Sequence, residues 1–300
     1  MKVLVTDVCS MSTLSSAHLL NYVIVGDVGG HAPALEEIVR RYGCDPATGF
    51  VPEGTVVIQV GDLVRLSRRR GEFSDACVTI SDRFMKSSPG RWIQLFGNHE
   101  IGLLGGPRHV TWTNDVSSET LSTVRRWWDR REARFAVSLR DSGDRDVLIS
   151  HAGLVFPTWD LMGRCPCPEF VAEIDSCVGR DDPADPLTSP SVGYNSARSE
   201  MWPSCLAELY PSWQAVEYSP FDQVHGHSSP VDWRTGLMHF AYGSDRRVCE
   251  IDPVGRICRT RVGLTNFTAI DWVLSDQPYV GGALEIRACE TFPSEATKIS

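Results

Sequence analysis

Five short apolar runs in this chain each stop at a polar residue that can bind a metal ion. The runs are rich in β-branched residues and end near glycine, which is typical of buried strands. In layered α/β folds, binding sites lie outside the carboxyl ends of such strands, so we expect these polar side chains to converge. In chain order, residues 22–25 precede Asp27, 56–60 precede Asp62, 92–96 precede Asn98, 147–150 precede His151, and a run ending at Val224 precedes His225 and His227.

The segments between these runs predict helices. Pro33 suits the first turn of a helix that continues to about Arg41, because its ring holds φ near the helical value. Residues 74–86 and 119–131 have apolar spacing closer to helical than to alternating. Strands alternating with helices indicate an α/β layered fold. Three later runs separated by turn signals predict an antiparallel meander that completes a second sheet, and they cover residues 237–241, 247–252 and 257–262.

Composition excludes several classes of protein. With 42% hydrophobic and 22% charged residues the chain is not disordered in bulk. Its formal net charge of −9 argues against a general affinity for nucleic acid, which depends on basic surfaces. No segment reads as a membrane span or a convincing signal peptide. The ten cysteines form no CxxC pair, which favours reduced thiols and a cytoplasmic protein.

The order of these features predicts one main domain. We expect an N-terminal extension over residues 1–20, a main domain over 21–275, and a C-terminal tail over 276–300. Residues 154–221 separate two of the polar motifs and are expected to form an insertion or cap over the site.

The polar residue types match a known kind of chemistry. Two divalent ions roughly 3.5–4 Å apart can activate a nucleophile and neutralise phosphoryl oxygens. A carboxylate can bridge both ions, whereas imidazoles and amide oxygens complete the coordination without adding negative charge. A set of oxygen and nitrogen donors that includes no thiolate suits Mn, Fe or Zn, with Mn the first choice.

In its ordered motifs the sequence resembles the calcineurin-like metallophosphoesterases, and within them the branch of phosphoprotein phosphatases and dinucleoside-polyphosphate hydrolases. The resemblance implies a four-layer α/β/β/α sandwich, in which two mixed sheets are flanked by helices and the metal site lies at the carboxyl ends of strands. It also implies hydrolysis of phosphoesters by a metal-bound hydroxide that attacks phosphorus in line. The matching motifs are Gly26-Asp27, Gly61-Asp62, Gly97-Asn98-His99-Glu100, His151-Ala152-Gly153 and His225-Gly226-His227.

The same resemblance implies a role for each matching residue. Asp62 would bridge two divalent metal ions. Asp27 and His227 would belong to the first ion. His99 would stabilise or protonate the leaving group, a task suited to an imidazole near its ordinary pKa. The second ion would be held by Asn98, His151 and His225.

Two motifs depart from the family pattern. Gly29 stands where a first-site histidine ligand is usual, and His31 is more in keeping with the start of the following helix. In the second motif Arg65 replaces the aspartate that would orient His99, and Leu66 replaces a phosphate-binding arginine. Arg65 either turns to the substrate as a new phosphate contact or belongs to a solvated basic loop. A cation beside His99 would disfavour its protonated form.

Further along the chain, Arg198 is a second candidate phosphate contact, because family members carry substrate-facing side chains between the fourth and fifth motifs. The alternative is that it belongs to a packed insertion.

Three functions remain open at this stage. The first is a phosphatase that acts on a phosphorylated small molecule or a phosphoprotein, without a nucleic-acid or membrane partner. The second is a metal-binding pseudoenzyme or scaffold, which the substitutions Gly29 and Arg65 favour. The third is a structural protein without metal, which leaves the polar residues at the strand ends unexplained.

Overall fold

The computed structural model describes residues 19–65, 71–105, 116–179, 203–239, 249–271 and 283–291. In these segments, ten strands form one mixed sheet and two form a small hairpin. The strands are β1 (Leu20–Val25), β2 (Thr55–Gln59), β3 (Trp92–Gln94), β4 (Ala136–Asp141), β5 (Asp146–Ser150), β6 (Phe221–His225), β7 (Val231–Asp232), β8 (Leu237–Met238), β9 (Cys249–Asp252), β10 (Ile257–Val262), β11 (Thr265–Ala269) and β12 (Leu284–Glu290).

The three helices predicted from the sequence are all present. The first begins at Ala32, with Pro33 in its first turn, and buries Leu35, Ile38 and Val39 on one face. Two short helices that the sequence pattern did not predict lie near predicted ligands. One begins at Asn98 itself, and the other begins at Phe156, shortly after His151. The helices are α1 (Ala32–Arg41), α2 (Gly71–Ser87), α3 (Asn98–Leu103), α4 (Ser118–Asp129), α5 (Phe156–Leu161), α6 (Cys167–Asp175) and α7 (Tyr210–Trp213), with a π-helical turn (Cys205–Leu209) directly before α7.

The large sheet has the strand order β3-β2-β1-β12-β4-β5-β6-β11-β10-β9. Strands β1, β2 and β3 are parallel to one another, and so are β5, β6 and β11. The five runs predicted as strands are therefore β1, β2, β3, β5 and β6. Because parallel strands share a carboxyl edge, the polar residues that follow them are delivered to common edges of the sheet.

The two halves of this sheet pack face to face. One hydrophobic core contains Ile24 and Ile58 from the first half together with Val137 and Ile149 from the second, and no helix contributes a described residue to it. A buried sheet face without helices must be covered by another sheet face. On the outer faces, α1, α2 and α4 pack beside β1–β3, whereas α6 packs on β4 and β5. The α/β/β/α layering predicted from the resemblance is confirmed.

The two strand layers are hydrogen-bonded into one sheet, whereas the sequence analysis expected two. Strand β12 pairs antiparallel with β1 on one side and with β4 on the other, which joins the halves. The predicted meander is present as β9–β11, but it extends the same sheet through the parallel pair β11–β6. Hydrogen-bond pairing of distant segments decides this connection, and a local hydrophobic pattern carries no information about it.

Strand β12 lies inside the stretch that the sequence analysis assigned to a C-terminal tail. Residues 284–290 occupy the middle of the sheet, and Leu284 and Ala288 are buried, so these residues belong to the core rather than to a tail. Apolar and charged side chains alternate regularly from Leu284 to Ala288, which is a strand pattern that the assignment to a tail overlooked. The proposed N-terminal extension lies outside the described residues except for Leu19 and Leu20.

In the stretch predicted to be an insertion or cap, the described residues form helices against the sheet. Helix α6 packs on β4 and β5, and α7 packs on β10 and α5. Residues 180–202, which include Arg198, lie outside the described part of the chain. Among the helices that are described, none combines the length and apolar character needed to cross a membrane.

The carboxylate at the end of α6 provides a test of this packing. Asp175 accepts hydrogen bonds from the backbone N–H groups of Phe135 (2.7 Å) and Ala136 (3.4 Å), where β4 begins. Burial raises the pKa of Asp175 from its ordinary value of 3.8 to about 6, although these hydrogen bonds oppose the rise. The folded protein therefore holds this proton more tightly than the unfolded chain, and the group's contribution to stability falls as pH rises from about 4 to about 6.

We expect Asp175→Asn to remove this dependence, since the amide oxygen still accepts from Phe135 and does not titrate. Relative to wild type, the variant should gain about 1–2 kcal/mol in free energy of unfolding between pH 4 and pH 7, allowing for partial exposure. Urea unfolding of both proteins at several pH values measures this. A difference that stays constant over the range would contradict the assignment.

Candidate metal centre

The residues predicted as ligands meet where the two halves of the sheet face each other. His151 Nδ1, after β5, lies 3.0 Å from the carbonyl oxygen of Val60, after β2. The His227 backbone N–H, after β6, donates to Asp27 Oδ2 over 2.8 Å. These contacts join loops that are far apart in sequence, so the carboxyl ends of β1, β2, β5 and β6 form one site.

Three side chains in this site could hold one ion together. One ligand atom from each of Asp62, His151 and His227 lies within 4.8 Å of the others. In the orientation that satisfies its hydrogen bonds, the amide nitrogen of Asn98 donates to the two Asp62 oxygens, at 3.1 and 3.2 Å, and lies 3.0 Å from His151 Nε2. Turning the amide would present its oxygen to a cation at the same place.

His151 is neutral and has a fixed tautomer, as a metal-binding histidine requires. Its ring is fully buried, and burial is the largest cause of a pKa well below the ordinary value. Because Val60 offers a carbonyl oxygen, Nδ1 must carry the proton and donate it. The lone pair is therefore on Nε2, which points toward Asn98 and lies 3.6 Å from Asp62 Oδ1. A fixed tautomer of this kind is usual for metal-binding histidines.

Asp27 carries a buried oxygen that meets no hydrogen-bond donor in the described part of the chain. The residue is 3% exposed, and only Oδ2 is satisfied, by His227. Burial, then the charges of Asp271 and Asp62, raise the pKa of Asp27 well above its usual range. A buried carboxylate oxygen without a donor is costly unless a cation neutralises it, so this atom fits a metal ligand.

Asp62 adopts a backbone conformation that is uncommon for a residue with a side chain. Its φ is 53°, and Gly61 before it has φ 103°. Such conformations persist where the surroundings hold them in place, and they concentrate at functional sites. Burial, and then the charge of Asp271, raise the pKa of Asp62, whereas a hydrogen bond from the His99 N–H to Oδ1 (3.1 Å) lowers it.

Glu100 holds the backbone of the Asp62 loop. It is fully buried, and its carboxylate accepts from the N–H groups of Asp62 (2.8 Å), Gly97 (2.9 Å) and Val64 (3.1 Å). Burial and the nearby Asp62 charge raise the pKa of Glu100 to about 7. The sequence analysis placed Glu100 in a motif without a role, and the structure gives it this one.

His99 is oriented by a backbone carbonyl. Its Nδ1 donates to Val64 O over 2.8 Å. Burial lowers the pKa of His99, and the Arg65 charge adds to this effect while Glu100 opposes it. The direction of the Arg65 effect on this pKa agrees with the expectation from the sequence.

Arg65 is half-buried beside His99, and its Nη1 atom meets no hydrogen-bond acceptor among the described residues. Its backbone N–H donates to Ser74 Oγ over 3.0 Å, which fixes the chain at this point. Of the two interpretations left open by the sequence, the burial of Nη1 favours a side chain directed inward over a fully solvated loop. Arginine in such a place suits an oxyanion with several acceptors.

The structure places His225 differently from the other predicted ligands. Its Nδ1 donates to the Gly226 carbonyl over 3.0 Å, and Nε2 accepts from the Tyr210 hydroxyl over 3.1 Å. Both ring nitrogens are thus engaged, and His225 is not part of the cluster of Asp62, His151 and His227. Burial lowers the pKa of His225 to about 4, so the ring is neutral.

Two further residues near the site were not predicted. Asp271 is 3% exposed and follows β11, which is parallel to β6, and its charge raises the pKa of Asp27 and Asp62. The stretch before Asp271 alternates polar with apolar residues, such as Asn266 and Thr268, and so differs from the five apolar runs used in the prediction. Tyr210 lies in a segment whose pattern indicated packing alone.

Gly29 stands where the resemblance would place a histidine ligand. It has φ 48° and donates its N–H to Asp62 O over 2.8 Å.

The donor set as a whole fits divalent cations. It offers carboxylate oxygens, an amide and neutral imidazoles, which suit Mn, Fe or Zn. Several buried carboxylates lie close together, and each raises the pKa of its neighbours. A divalent cation would relieve this repulsion.

No protein-family model matches the sequence, and no curated protein matches it either. Among solved structures, a cold-active protein-tyrosine phosphatase of a psychrophilic Shewanella species is similar to this chain, with 13% sequence identity and a TM-score of 0.47, over 83% of this chain and 80% of that one. A protein serine/threonine phosphatase from Saccharomyces cerevisiae, with similarity to human phosphatase PP5, has 13% identity and a TM-score of 0.49, over 95% of this chain and 84% of that one. These values are too low to assign the chain a family or an activity.

Glycines at two positions allow the carboxylates to approach the backbone. A Cβ at Gly97 would collide with Asp62 Oδ1 and the Asp62 N–H, and one at Gly226 would collide with Asp27 Oδ1. Neither glycine has a left-handed φ, so alanine would clash with the site without straining the backbone.

We expect Gly97→Ala and Gly226→Ala each to weaken Mn²⁺ binding about 10–100-fold, because each displaces a carboxylate from its position. Titration calorimetry measures the affinity, and circular dichroism verifies the fold. Gly143→Ala is the matched control, since its Cβ would lie 3.3 Å from Asp141 Oδ1 in the turn after β4. Equal affinity in all three variants would refute this description of the site.

Proposed function

We propose that this protein is a metal-dependent phosphoesterase that hydrolyses phosphorylated small molecules or phosphoproteins. The observation that carries the proposal is the cluster of ligand atoms from Asp62, His151 and His227 within 4.8 Å, next to the unsatisfied Asp27 oxygen. The buried Asp27 Oδ1 would be stabilised by a cation, and the buried Arg65 Nη1 would be stabilised by an anion that accepts its hydrogen bond. A divalent ion with a phosphate ester supplies both.

In this proposal the ligands are those that the resemblance implies. Asp62 would be shared by two divalent ions, with Asp27 and His227 at the first and Asn98 and His151 at the second. His225 would join the second site only after its proton moves from Nδ1 to Nε2. The Tyr210 hydroxyl could then accept a hydrogen bond from Nε2, and the lone pair on Nδ1 would be available to the ion. Bound in this way, divalent ions supply a nucleophile that is active at neutral pH and neutralise the phosphoryl charge.

The protein's own residues would then bind and orient the ester. The Arg65 guanidinium donates to phosphoryl oxygens and so compensates for Leu66, which stands where a phosphate-binding arginine is usual. His99 Nδ1 donates its proton to the Val64 carbonyl, so Nε2 is the atom that would take up a second proton and pass it to the departing oxygen, which would return the ring to its neutral form. Glu100 holds the backbone of Asp62, and the absence of a side chain at Gly97 leaves room for the Asp62 carboxylate.

The direct test is hydrolysis of an aryl phosphate by purified protein supplied with Mn²⁺. We expect Asp62→Ala and Asn98→Ala to lower kcat/KM at least about 100-fold, since removing ligands or electrostatic stabilisation has effects of this size. Asn266→Ala is the control, because in the described part of the chain the exposed side chain of this asparagine bonds to Asp222 on the sheet surface. Wild-type rates in both site variants would show that the proposal is wrong.

The proposed role of Arg65 makes a separate prediction. Arg65→Gln should raise KM for the aryl phosphate about 10–100-fold, since a hydrogen bond to a charged group contributes about 1.5–3 kcal/mol. Arg65→Lys should recover part of the loss because it keeps the charge. Steady-state kinetics measure both variants, and an unchanged KM in Arg65→Gln would mean that the side chain does not contact substrate.

A metal-binding pseudoenzyme is the second candidate. Two observations favour it: His225 has both ring nitrogens engaged, and burial with the Arg65 charge lowers the pKa of His99, the proposed acid. Tight Mn²⁺ binding without turnover of any phosphomonoester or diester would select this alternative. A cytoplasmic location remains a prediction in both cases.

A further inference from the structure

One fully buried glutamine touches both of the loops that carry the site's aspartates. Gln59 is the last residue of β2 and has no exposed surface. Its Nε2 donates to the carbonyls of Gly26 (3.2 Å) and Gly61 (2.7 Å), and its Oε1 accepts from the Gly61 N–H (2.9 Å). Gly26 directly precedes Asp27, and Gly61 directly precedes Asp62.

The backbone conformation of these loops depends on hydrogen bonds from other parts of the chain. Gly61 and Asp62 both have left-handed φ values, a conformation that is uncommon for an aspartate. In the first loop, the N–H groups of Gly29 and Gly30 donate to the carbonyls of Asp62 (2.8 Å) and Leu63 (2.9 Å). The position of each aspartate therefore depends on the other loop, and Gln59 is the side chain that bonds to both.

Gln59 is in turn anchored to the body of the fold. Gln94, at the end of β3, donates its amide N–H groups to Gln59 Oε1 and to the Leu95 carbonyl. Ser81 of α2 donates to Gln94 Oε1 over 2.6 Å, and Trp92 Nε1 donates to Ser81 Oγ over 2.9 Å. This chain of buried hydrogen bonds runs from the aspartate loops to a helix and a strand, so it can transmit their rigidity to the site.

We propose that Gln59 is a positioning residue that sets the separation of Asp27 and Asp62 and thereby the affinity of the site for divalent metal. The proposal rests on the proposed function, because it assumes that the two aspartates bind metal. An apolar residue of similar size would fill the same space, yet it would leave the Gly26 and Gly61 carbonyls and the Gly61 N–H without partners.

The test compares Gln59→Leu with Gln223→Leu. Gln223 is an equally buried glutamine in β6 that makes two hydrogen bonds to the backbone of Leu154, away from both aspartates. Two readouts are used: the affinity for Mn²⁺ by titration calorimetry, and amide hydrogen exchange of the metal-free protein at Gly29, Gly30, Gly61 and Asp62. The second readout does not depend on metal or activity.

We expect Gln59→Leu to weaken Mn²⁺ binding about 10–100-fold, because loss of a residue that orients metal ligands has an effect of this size. We also expect faster amide hydrogen exchange in both loops, because they lose the hydrogen bonds that hold them. Gln223→Leu should lower the melting temperature without either effect. Wild-type affinity together with wild-type exchange in Gln59→Leu would overturn the proposal.

Failure of the proposed function can be distinguished from failure of this inference. If wild-type protein binds no Mn²⁺, the function is wrong, and exchange in the two loops alone decides whether Gln59 holds them. If Gln59→Leu does not fold, Gln59→Glu decides by exchange, because it keeps an acceptor for the Gly61 N–H and loses both donated bonds. Unchanged exchange in that variant would overturn the proposal.

Discussion

Mutual repulsion among buried carboxylates is the constraint on which the rest of this structure depends. Asp27, Asp62, Asp271 and Glu100 are buried near one another, and burial together with their neighbours' charges raises the pKa values of those next to the site. Such a group is unfavourable in a low-dielectric interior unless a cation or many donors compensate. The compensation seen in the protein is partial, and it comes mostly from backbone N–H groups.

The fold provides these N–H groups by bringing loops together at glycines. Glu100 accepts three backbone N–H groups, and Asp27 accepts one from His227. Gly97 and Gly226 lie so close to the carboxylates that no side chain fits. What remains unsatisfied in the described residues at the site is one oxygen of Asp27 and one nitrogen of Arg65, an arrangement that a cation with an anionic ligand completes.

Three residues at which the sequence departs from the motifs it resembles have local structural effects. Val64 orients His99 through its carbonyl, so the missing aspartate is replaced by backbone. Arg65 adds a positive charge beside that histidine, and its Nη1 meets no acceptor among the described residues. Gly29 takes a left-handed conformation that links the two aspartate loops, a conformation that favours glycine over a histidine ligand. Backbone groups of Val64 and Gly29 thus hold His99 and the Asp62 loop in place.

The sequence by itself determined the strands that end at Asp27, Asp62, Asn98, His151 and His225, the three longer helices and the α/β class, because these follow from local hydrophobic patterns and turn residues. It could not determine that β12 joins the halves of the sheet, that Asp271 lies near the site, or that Tyr210 engages His225. Those features depend on which distant segments pair and which faces are covered. Only the tertiary structure decided them, since hydrogen-bond register and burial arise when remote parts of the chain pack together.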